Sequence, residues 1–459
     1  MNFPLRQIWQ TLALPQEALH FARLEGADPV LPSSFAVGAA AQASIAAAAL
    51  AACELGHARG AARQEVAVSM THAALECTEW FSLDGRTPEA WEAFSGLYRC
   101  SDGWVRIHAN FAHHSQGALR LMGLDPGTAT RADAEAAMQH WRALEFEQAS
   151  AERGLVATAL RSFAQWDATA QGVAVAAQPL LRIERIDGAN APPLALPPLA
   201  ENQRPLTGVR VLDLTRILAG PVGGRALAAY GADVMLVNSP HLPNIAAIAN
   251  TSRGKRSALA DLNTAEGRET LWRLIAGAHV FVQGYRPGGL ADKGFSPQAI
   301  AARRPGCVVV SLSAYGDQGP WAERRGFDSL MQTAMGFNHA EGEAAGDGQP
   351  RPLPMQILDE ATGYLIAAAA AAALWRQQRE GGSWHVQLSL AQTGQWLRGL
   401  GRVPQGLQAQ RPDGKAFLEH SACGFGELTS FRHSAQLART PAGWNLPSMP
   451  PGTHPPRWD

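Results

Sequence analysis

The carboxylate of Asp359 is the side chain of this sequence best suited to covalent chemistry. It stands in the stretch 358–363 (LDEATG), directly before the alanine-rich run 367–373, which is typical of a buried helix. A helix N-terminus favours the ionised form of a carboxylate, and a desolvated carboxylate held there can attack a thioester as a nucleophile. The same position would also suit a helix N-cap, since Asp is a preferred capping residue. Both interpretations place Asp359 at the start of a helix.

A second copy of the helix, turn and strand pattern around Asp359 occurs near the N-terminus. A shift of 320 residues superposes segment 46–69 on segment 366–389, and Arg59, Val66 and Ser69 meet identical residues. At this shift Ala39 takes the place of Asp359. The sequence therefore predicts two versions of one structural unit, of which only the second keeps the carboxylate.

A glycine-containing turn supplies the first candidate for ligand contact. Gly220 opens the run 220–224, where a strand gives way to a helix and backbone N–H groups can meet an anionic oxygen. The run is not GxGxxG, and Asn238 replaces the acidic residue that would bind a ribose. A nicotinamide-dependent oxidoreductase is therefore disfavoured. The alternative role for these glycines is close packing of helix on sheet.

Basic residues near strand ends are the second set of candidates. Lys255 and Arg256 precede a short strand-like stretch, and Arg286 follows an apolar strand at the expected carboxyl end of the sheet. Basic groups projecting there would suit a phosphorylated ligand. The alternative is that each is an ordinary solvated surface charge.

Alternating strands and helices between residues 206 and 316 must position these groups. Apolar runs of β type occur at 209–214, 233–237, 279–282 and 307–312, with helical patterns between them. Such alternation demands a parallel sheet with right-handed crossovers, and the apolar strands indicate helices on both faces. The predicted fold class is α/β, with an open parallel Rossmann-like sheet and a smaller α+β domain.

Composition changes along the chain predict five segments. A hairpin pattern with a Ser-Asp-Gly turn marks the smaller domain, and a proline-rich run separates it from the α/β region. The segments are a helical N-terminal segment with the degenerate copy (1–89), the smaller α+β domain (90–190), a linker (191–205), the Rossmann-like domain with the catalytic segment (206–400) and an extended tail (401–459).

The bulk composition excludes several classes of protein. The 459 residues are 46% hydrophobic and carry a formal net charge of -1, which describes a globular chain without an extended nucleic-acid surface. The alanine-dominated apolar runs predict no membrane span, and the first ten residues resemble no signal peptide. Five scattered cysteines without metal-ligand spacing fit a reducing compartment. We expect a cytoplasmic protein with no metal and no permanently bound cofactor.

Taken in order, these motifs resemble the class III CoA-transferase family of CaiB/BaiF type, which includes carnitine and formyl-CoA transferases. The matching set covers roughly residues 205–395 and is specific only as a set. Its members are 205–216, 218–221, 230–234, 254–257, 285–288, 312–316, 319–320, 326–328, Asp359 and Gly363.

The resemblance implies a reaction and a set of ligands. Asp359 would attack an acyl-CoA donor to form an acyl-aspartyl anhydride and then an aspartyl-CoA thioester, from which CoA passes to an acceptor carboxylate. The Ala219 N–H would stabilise charge at the reacting carbonyl. Lys255, Arg256 and Arg286 would lie near CoA. The interlocked dimers of the family predict a homodimer that binds acyl-CoA and a small carboxylic acid.

The chain also departs from the usual order of the family. Residues 31–200 resemble the later half of a family member but precede the α/β half, which predicts a fused or permuted arrangement. One alternative function is a non-catalytic CoA-binding protein, in which Asp359 only caps a helix. A second is an α-methylacyl-CoA racemase. The histidine of that branch aligns with Phe327, which cannot move a proton.

Overall fold

The computed structural model describes residues 3–186 and 191–458, and these ranges hold sixteen α-helices and sixteen strands. The helices are α1 (Phe3–Leu12), α2 (Val37–Ala58), α3 (Met70–Glu76), α4 (Ala112–Leu121), α5 (Arg131–Met138), α6 (Ala143–Glu152), α7 (Phe163–Asp167), α8 (Ala170–Ala176), α9 (Ala219–Ala229), α10 (Ile248–Thr251), α11 (Ala265–Gly277), α12 (Pro297–Arg303), α13 (Asp328–Met335), α14 (Phe337–Ala345), α15 (Ile357–Glu380) and α16 (Leu390–Gly399). The strands are β1 (Ala22–Glu25), β2 (Val66–Ser69), β3 (Phe81–Leu83), β4 (Gly96–Arg99), β5 (Trp104–Ile107), β6 (Ala157–Ala159), β7 (Leu181–Arg185), β8 (Arg210–Leu214), β9 (Asp233–Asn238), β10 (Lys255–Leu259), β11 (Val280–Gln283), β12 (Val308–Ser313), β13 (Trp384–Ser389), β14 (Leu418–Cys423), β15 (Gly426–Phe431) and β16 (Ala435–Leu437).

The largest sheet has seven strands in the order β10-β9-β8-β11-β12-β13-β7. Neighbouring strands are parallel, except that β7 runs antiparallel to β13. The chain moves outward from β8 to β9 and β10 and then returns to β11 on the other side of β8. The predicted parallel α/β sheet is confirmed. In such sheets ligands bind at the carboxyl ends of the two strands where the order reverses, which here are β8 and β11.

Helices cover both faces of this sheet, as expected from its apolar strands. Because successive side chains of a strand point to opposite faces, each buried strand contributes to two cores. Val211 and Val280 belong to the core that contains α9 and α15, whereas Leu212 and Phe281 belong to the core that contains α11 and α12.

Two alanine-rich helices, α2 and α15, pack against each other at the centre of the molecule. With 22 and 24 residues and a mean hydropathy of 1.4 in their most apolar stretches, both helices are long and apolar enough to cross a membrane. These stretches are nevertheless 94% and 100% buried inside the protein. Both helices are longer than the alanine runs of the sequence predict, because they extend beyond those runs at both ends. A helix that is apolar all round requires cover on every side, and α1, α3, α9 and α16 contribute it.

A three-stranded sheet, β1-β2-β16, repeats the edge of the large sheet. β1 and β2 are parallel and β16 runs antiparallel to β2, as β12, β13 and β7 do in the large sheet. In the chain α2 precedes β2 and α3 follows it, as α15 and α16 flank β13. The two copies therefore share their element order and strand directions.

The two copies also exchange strands, which changes the predicted domain boundaries. β7 belongs by sequence to the segment 90–190 but completes the large sheet, and β16 belongs to the segment 401–459 but completes the N-terminal sheet. The predicted tail also supplies β14 and β15, which form a sheet with β3 in the order β14-β15-β3. Pairing across such long sequence separations leaves no local signal, so the sequence could not show that these segments are shared.

The smaller domain packs around its own core. β4, β5 and β6 form an antiparallel sheet, covered by α4, α5 and α6. The expected hairpin at 96–107 corresponds to β4 and β5. The run 191–205 contains no helix or strand, and Arg59 at the end of α2 donates hydrogen bonds to its carbonyls at Pro197 and Pro205.

Candidate active site

Asp359 is the third residue of α15 and is 7% exposed. The N-cap position is Gln356, so the carboxylate of Asp359 does not act as the cap. The backbone of Ala219, the first residue of α9, forms a hydrogen bond to this carboxylate. The structure therefore brings Asp359 and Ala219 together at the N-termini of two helices.

Close approach of α9 and α15 at this point depends on Gly363. A Cβ atom on Gly363 would lie 2.7 Å from the carbonyl oxygen of Ala219 and 2.7 Å from the side chain of Val222. Any larger residue would push the two helices apart and would move Ala219 away from Asp359. This glycine therefore helps to set the geometry of the site.

The turn that leads from β8 into α9 is strained. Ile217 has a φ of 77°, in the left-handed region that β-branched residues rarely adopt. Such a conformation costs about 1–3 kcal/mol and is held only by surrounding structure. Because Ala219 follows two residues later, the strained turn fixes the direction of its N–H group.

Asp328 holds the backbone of Asp359 in place through a hydrogen bond. Its Oδ2 accepts the N–H of Asp359 at 2.9 Å, and its Oδ1 accepts Nε2 of Gln332 at 2.5 Å. Burial raises the pKa of Asp328 to about 6. Burial, and then the charge of Asp328, raise the pKa of Asp359 well above its usual range, while the Ala219 hydrogen bond opposes the shift. Two carboxylates in one buried site resist simultaneous ionisation.

The N-terminal copy keeps this support but lacks the nucleophile. The carboxylate of Asp28 accepts the N–H of Ala39 at 2.8 Å at the start of α2, as Asp328 accepts that of Asp359. Ala39 is the residue that the 320-residue shift aligns with Asp359. In both copies an aspartate therefore accepts a backbone N–H from the first turn of a buried helix. Only the second copy carries a nucleophile there, because the methyl group of Ala39 can carry out no covalent chemistry.

Asp359 lines a cavity of about 420 Å³. The walls come from several parts of the chain: the segment after α3, the strand β5 with the residues that follow it, the turns before α9, α10, α13 and α15, and Arg411 of the C-terminal segment. Apolar side chains, among them Trp80, Trp91 and Phe327, are joined by the polar side chains of Arg106 and His108. A mainly apolar cavity with a few polar groups is typical of a small-molecule site.

Lys255 does not line this cavity, which corrects its predicted contact with a ligand. Its Nζ is buried under α9, pairs with Oδ2 of Asp213 at 2.9 Å and donates to the carbonyl of Pro221 at 2.7 Å. Burial lowers the pKa of Lys255, while Asp213 acts in the opposite direction. The lysine neutralises a buried aspartate instead of meeting a phosphate.

The other predicted cofactor contacts lie outside the cavity as well. Arg256 forms an ion pair with Asp233 at the edge of the large sheet. A Cβ atom on Gly220 would lie 2.3 Å from the side chain of Thr215, so this glycine serves close packing of α9. Arg286 is exposed and lines a separate cavity of about 160 Å³ beyond β11 and β12. Contact of Arg286 with CoA stays a prediction.

Sequence reasoning missed Asp328, Arg106 and His108. Asp328 belongs to the stretch 326–328, which is part of the family resemblance, but the resemblance alone assigned no role to its carboxylate. Arg106 and His108 alternate along β5 and beyond it, so both line the same cavity. The alternation was visible in the sequence, but nothing local showed which face of the hairpin meets the α/β half.

The profile of CoA-transferase family III matches residues 18–192 and 206–413. The two matched segments flank the proline-rich run and include most of the chain. The chain therefore belongs to CoA-transferase family III.

Several relatives are similar to parts of the chain. An acyl-CoA transferase of Gibberella moniliformis is 31% identical over 312 residues, which are 64% of this chain and 55% of that protein. A succinate–glutarate CoA-transferase of Agrobacterium fabrum is 34% identical over 205 residues, 40% of this chain and 51% of that protein. The crystal structure of a CAIB/BAIF family protein from Brucella suis gives a TM-score of 0.39 at 29% identity, covering 49% of this chain and 65% of that one. The chain spans about half the length of the curated relatives it matches.

Proposed function

We propose that this protein is a CoA-transferase that moves CoA from an acyl-CoA donor to a carboxylic acid, with Asp359 as the covalent nucleophile. The observation that carries the proposal is the buried carboxylate at the start of α15, which faces a mainly apolar cavity and accepts a hydrogen bond from Ala219. A desolvated carboxylate is a stronger nucleophile than a hydrated one. Membership of the family supports the same reaction.

The proposed transfer balances without any proton transfer. The Asp359 carboxylate attacks the donor thioester, so that a C–O bond forms, the C–S bond breaks, and CoA thiolate leaves an acyl-aspartyl anhydride. The thiolate then attacks the aspartyl carbonyl and releases the donor acid as its carboxylate. The acceptor carboxylate attacks the resulting aspartyl-CoA thioester, and the thiolate released attacks the new acyl carbonyl. Acyl-CoA leaves and Asp359 is regenerated.

Two features of the site support these steps. Negative charge develops on a carbonyl oxygen in each attack, and the Ala219 N–H at the α9 N-terminus could stabilise it. Apolar walls such as Trp80 and Phe327 limit the access of water, which would otherwise hydrolyse the anhydride. Both halves of one chain contribute walls to this cavity. The homodimer and the cytoplasmic location stay predictions.

A racemase would need a proton carrier where Phe327 stands. The ring of His108 stacks on Phe327 with centroids 3.8 Å apart, so an imidazole does reach this place. Burial, and then the neighbouring His114 and Arg106, lower the pKa of His108 to about 3. A base with that pKa is poorly matched to proton abstraction near neutral pH. The site therefore favours CoA transfer.

Covalent trapping tests the proposed function. The protein is incubated with a panel of acyl-CoAs, quenched with hydroxylamine and digested, and its peptides are analysed by mass spectrometry. We expect a modification on the peptide that carries Asp359, because both the anhydride and the aspartyl thioester react with hydroxylamine. Protein incubated with free CoA is the control. Measurable CoA binding without a modification from any donor would instead support the non-catalytic CoA-binding alternative.

The pH dependence of this adduct reports on the pair of carboxylates. Because only ionised Asp359 attacks, its acylation rate should rise with pH through its raised pKa. In Asp328→Asn the like charge is absent and the pKa of Asp359 falls, so the rise should move to lower pH. Single-turnover acylation is measured from about pH 5 to about pH 9. Asp347→Asn changes an exposed carboxylate and serves as control. An identical profile for Asp328→Asn would contradict the expected coupling.

A further inference from the structure

One wall of the Asp359 cavity carries a buried cation without an anionic partner. Arg106 on β5 is 7% exposed, and its guanidinium forms no ion pair or side-chain hydrogen bond with residues 3–186 or 191–458. It lies beside Trp91, with Cζ 5.0 Å from the ring centroid. A buried charge without a partner is strongly unfavourable. A ligand is therefore expected to supply the missing anion.

Two carboxylates near Arg106 are already engaged elsewhere. Asp328 acts electrostatically on Arg106, but its two oxygens bind the backbone of Asp359 and the side chain of Gln332. Glu79 also lines the cavity, and it forms two hydrogen bonds of 3.0 Å to Arg225. Neither carboxylate is free to neutralise the guanidinium of Arg106.

His108 adds a second unused polar group to the same wall. It is 6% exposed, and both ring nitrogens lack a hydrogen-bond partner among the described residues. The low pKa that results from its burial keeps the ring neutral, so one nitrogen donates and the other accepts. Arg106 on β5 and His108 just beyond it are two residues apart, so a guanidinium and an imidazole donor face the cavity together.

The chemistry of transfer indicates which anion these groups bind. The carboxylate that reacts loses its negative charge when it becomes a thioester, so it would leave Arg106 without a partner in half of the cycle. A carboxylate that does not react keeps its charge in the free acid and in the thioester alike. A permanently buried guanidinium is therefore matched by a second, unreacting carboxylate.

We propose that Arg106, together with His108, binds the second carboxylate of a dicarboxylic acid substrate, whose other carboxyl group reacts at Asp359. The specificity wall, defined as Arg106 and His108, selects dicarboxylic acids and their mono-CoA thioesters over monocarboxylic acids of equal length. A guanidinium fits a carboxylate in a two-point arrangement, and the ring of Trp91 lies against this one. This inference rests on the proposed CoA transfer at Asp359.

Matched acceptor pairs test the specificity wall. Transfer from one common donor is measured with succinate against butyrate and with glutarate against valerate, for the parent protein, Arg106→Gln and Arg106→Lys. The parent should prefer each dicarboxylate by about 100-fold or more in kcat/KM, since a site built to pair a group rejects an analogue without it. Arg106→Gln should lose this preference, mainly through a higher KM for dicarboxylates. Its loss of activity with monocarboxylates should be much smaller than its loss with dicarboxylates. Arg106→Lys should keep part of the preference.

The control variant and a binding measurement keep the result interpretable. Arg99→Gln removes an exposed arginine of the same hairpin and should leave the preference unchanged. Calorimetric titration of the parent with succinate and with butyrate needs no variant and should show tighter binding of succinate. Equal binding of the two acids, or an equal loss for both acid classes in Arg106→Gln, would overturn the inference. If adducts still form on Asp359 in that case, the proposed function stands and only the specificity wall is wrong.

Discussion

Replacing Asp359 with Asn is expected to lower kcat for CoA transfer by at least about 10⁴-fold, a loss comparable to removal of a covalent nucleophile elsewhere. The amide keeps the size of the side chain, and Asp328 can still accept the N–H of residue 359, so the site should keep its shape. Only the attacking anion is lost. Acyl-CoA exchange is followed by chromatography, and mass spectrometry checks that the Asn has not deamidated to Asp.

The same substitution should not lower the stability of the fold. Asp359 has a raised pKa in the folded state, so the folded protein binds its proton more tightly than the unfolded chain does. The stability contribution of such a group falls as the pH rises from the unfolded pKa, about 3.9, to the folded one. Asn removes this loss, and the Tm of the variant should equal or exceed that of the parent at about pH 8. At about pH 4 the difference should disappear.

These two measurements separate chemistry from structure. Glu360→Gln changes the adjacent buried carboxyl group, which lies 3.9 Å from Arg225, and should keep kcat within about tenfold. Asp359→Asn activity above about 1% of the parent would mean that another group is the nucleophile. A Tm more than about 4 °C below the parent would mean that Asp359 has a structural role.

Elements whose stability is local could be predicted from the sequence. The apolar runs at 209–214 and 279–282 correspond to β8 and β11, because a strand buried on both faces needs a continuous apolar run. Ser296 caps α12, as its position before Pro297 predicts, and its side chain accepts the N–H of Ala299. The position of Asp359 at a helix start could be predicted because a carboxylate directly before an apolar helical run is also a local pattern.

Features that depend on register or on distant pairing could not be predicted. Lys255 and Arg256 are neighbours in one strand, yet one neutralises buried Asp213 and the other pairs with Asp233 at the sheet edge. Which of them faces inward depends on the alignment of β10 with β9, and the sequence does not state it. Arg106 lines the same cavity as Asp359 only because the smaller domain contacts the α/β half. No spacing in the chain encodes that contact.

A second large effect is expected at Arg225, which joins the two halves of the chain beneath the site. Its guanidinium is 1% exposed and forms two hydrogen bonds of 3.0 Å to Glu79 of the N-terminal half. Burial opposes its charge, but Glu79 and other nearby acidic groups offset that effect and raise the pKa of Arg225.

Both oxygens of Glu360 lack a hydrogen bond among the described residues. Burial and then the charge of Glu79 raise the pKa of Glu360 well above its usual range.

Arg225→Met should therefore lower the free energy of unfolding by about 3–5 kcal/mol, because Glu79 would remain buried without its counter-charge. Arg225→Lys should recover part of this loss, since an ammonium group cannot form the two-point contact. Urea unfolding followed by circular dichroism measures both. As a control, Arg351→Met breaks the exposed ion pair with Asp347 and should lower the free energy of unfolding by less than about 1 kcal/mol. Glu360→Gln should be nearly neutral at about pH 7, because burial and the charge of Glu79 already disfavour the ionised form of that group in the folded state. If Arg225→Met also costs less than about 1 kcal/mol, Glu79 must reach solvent or take up a proton, and this ion pair then adds little to the joining of the two halves.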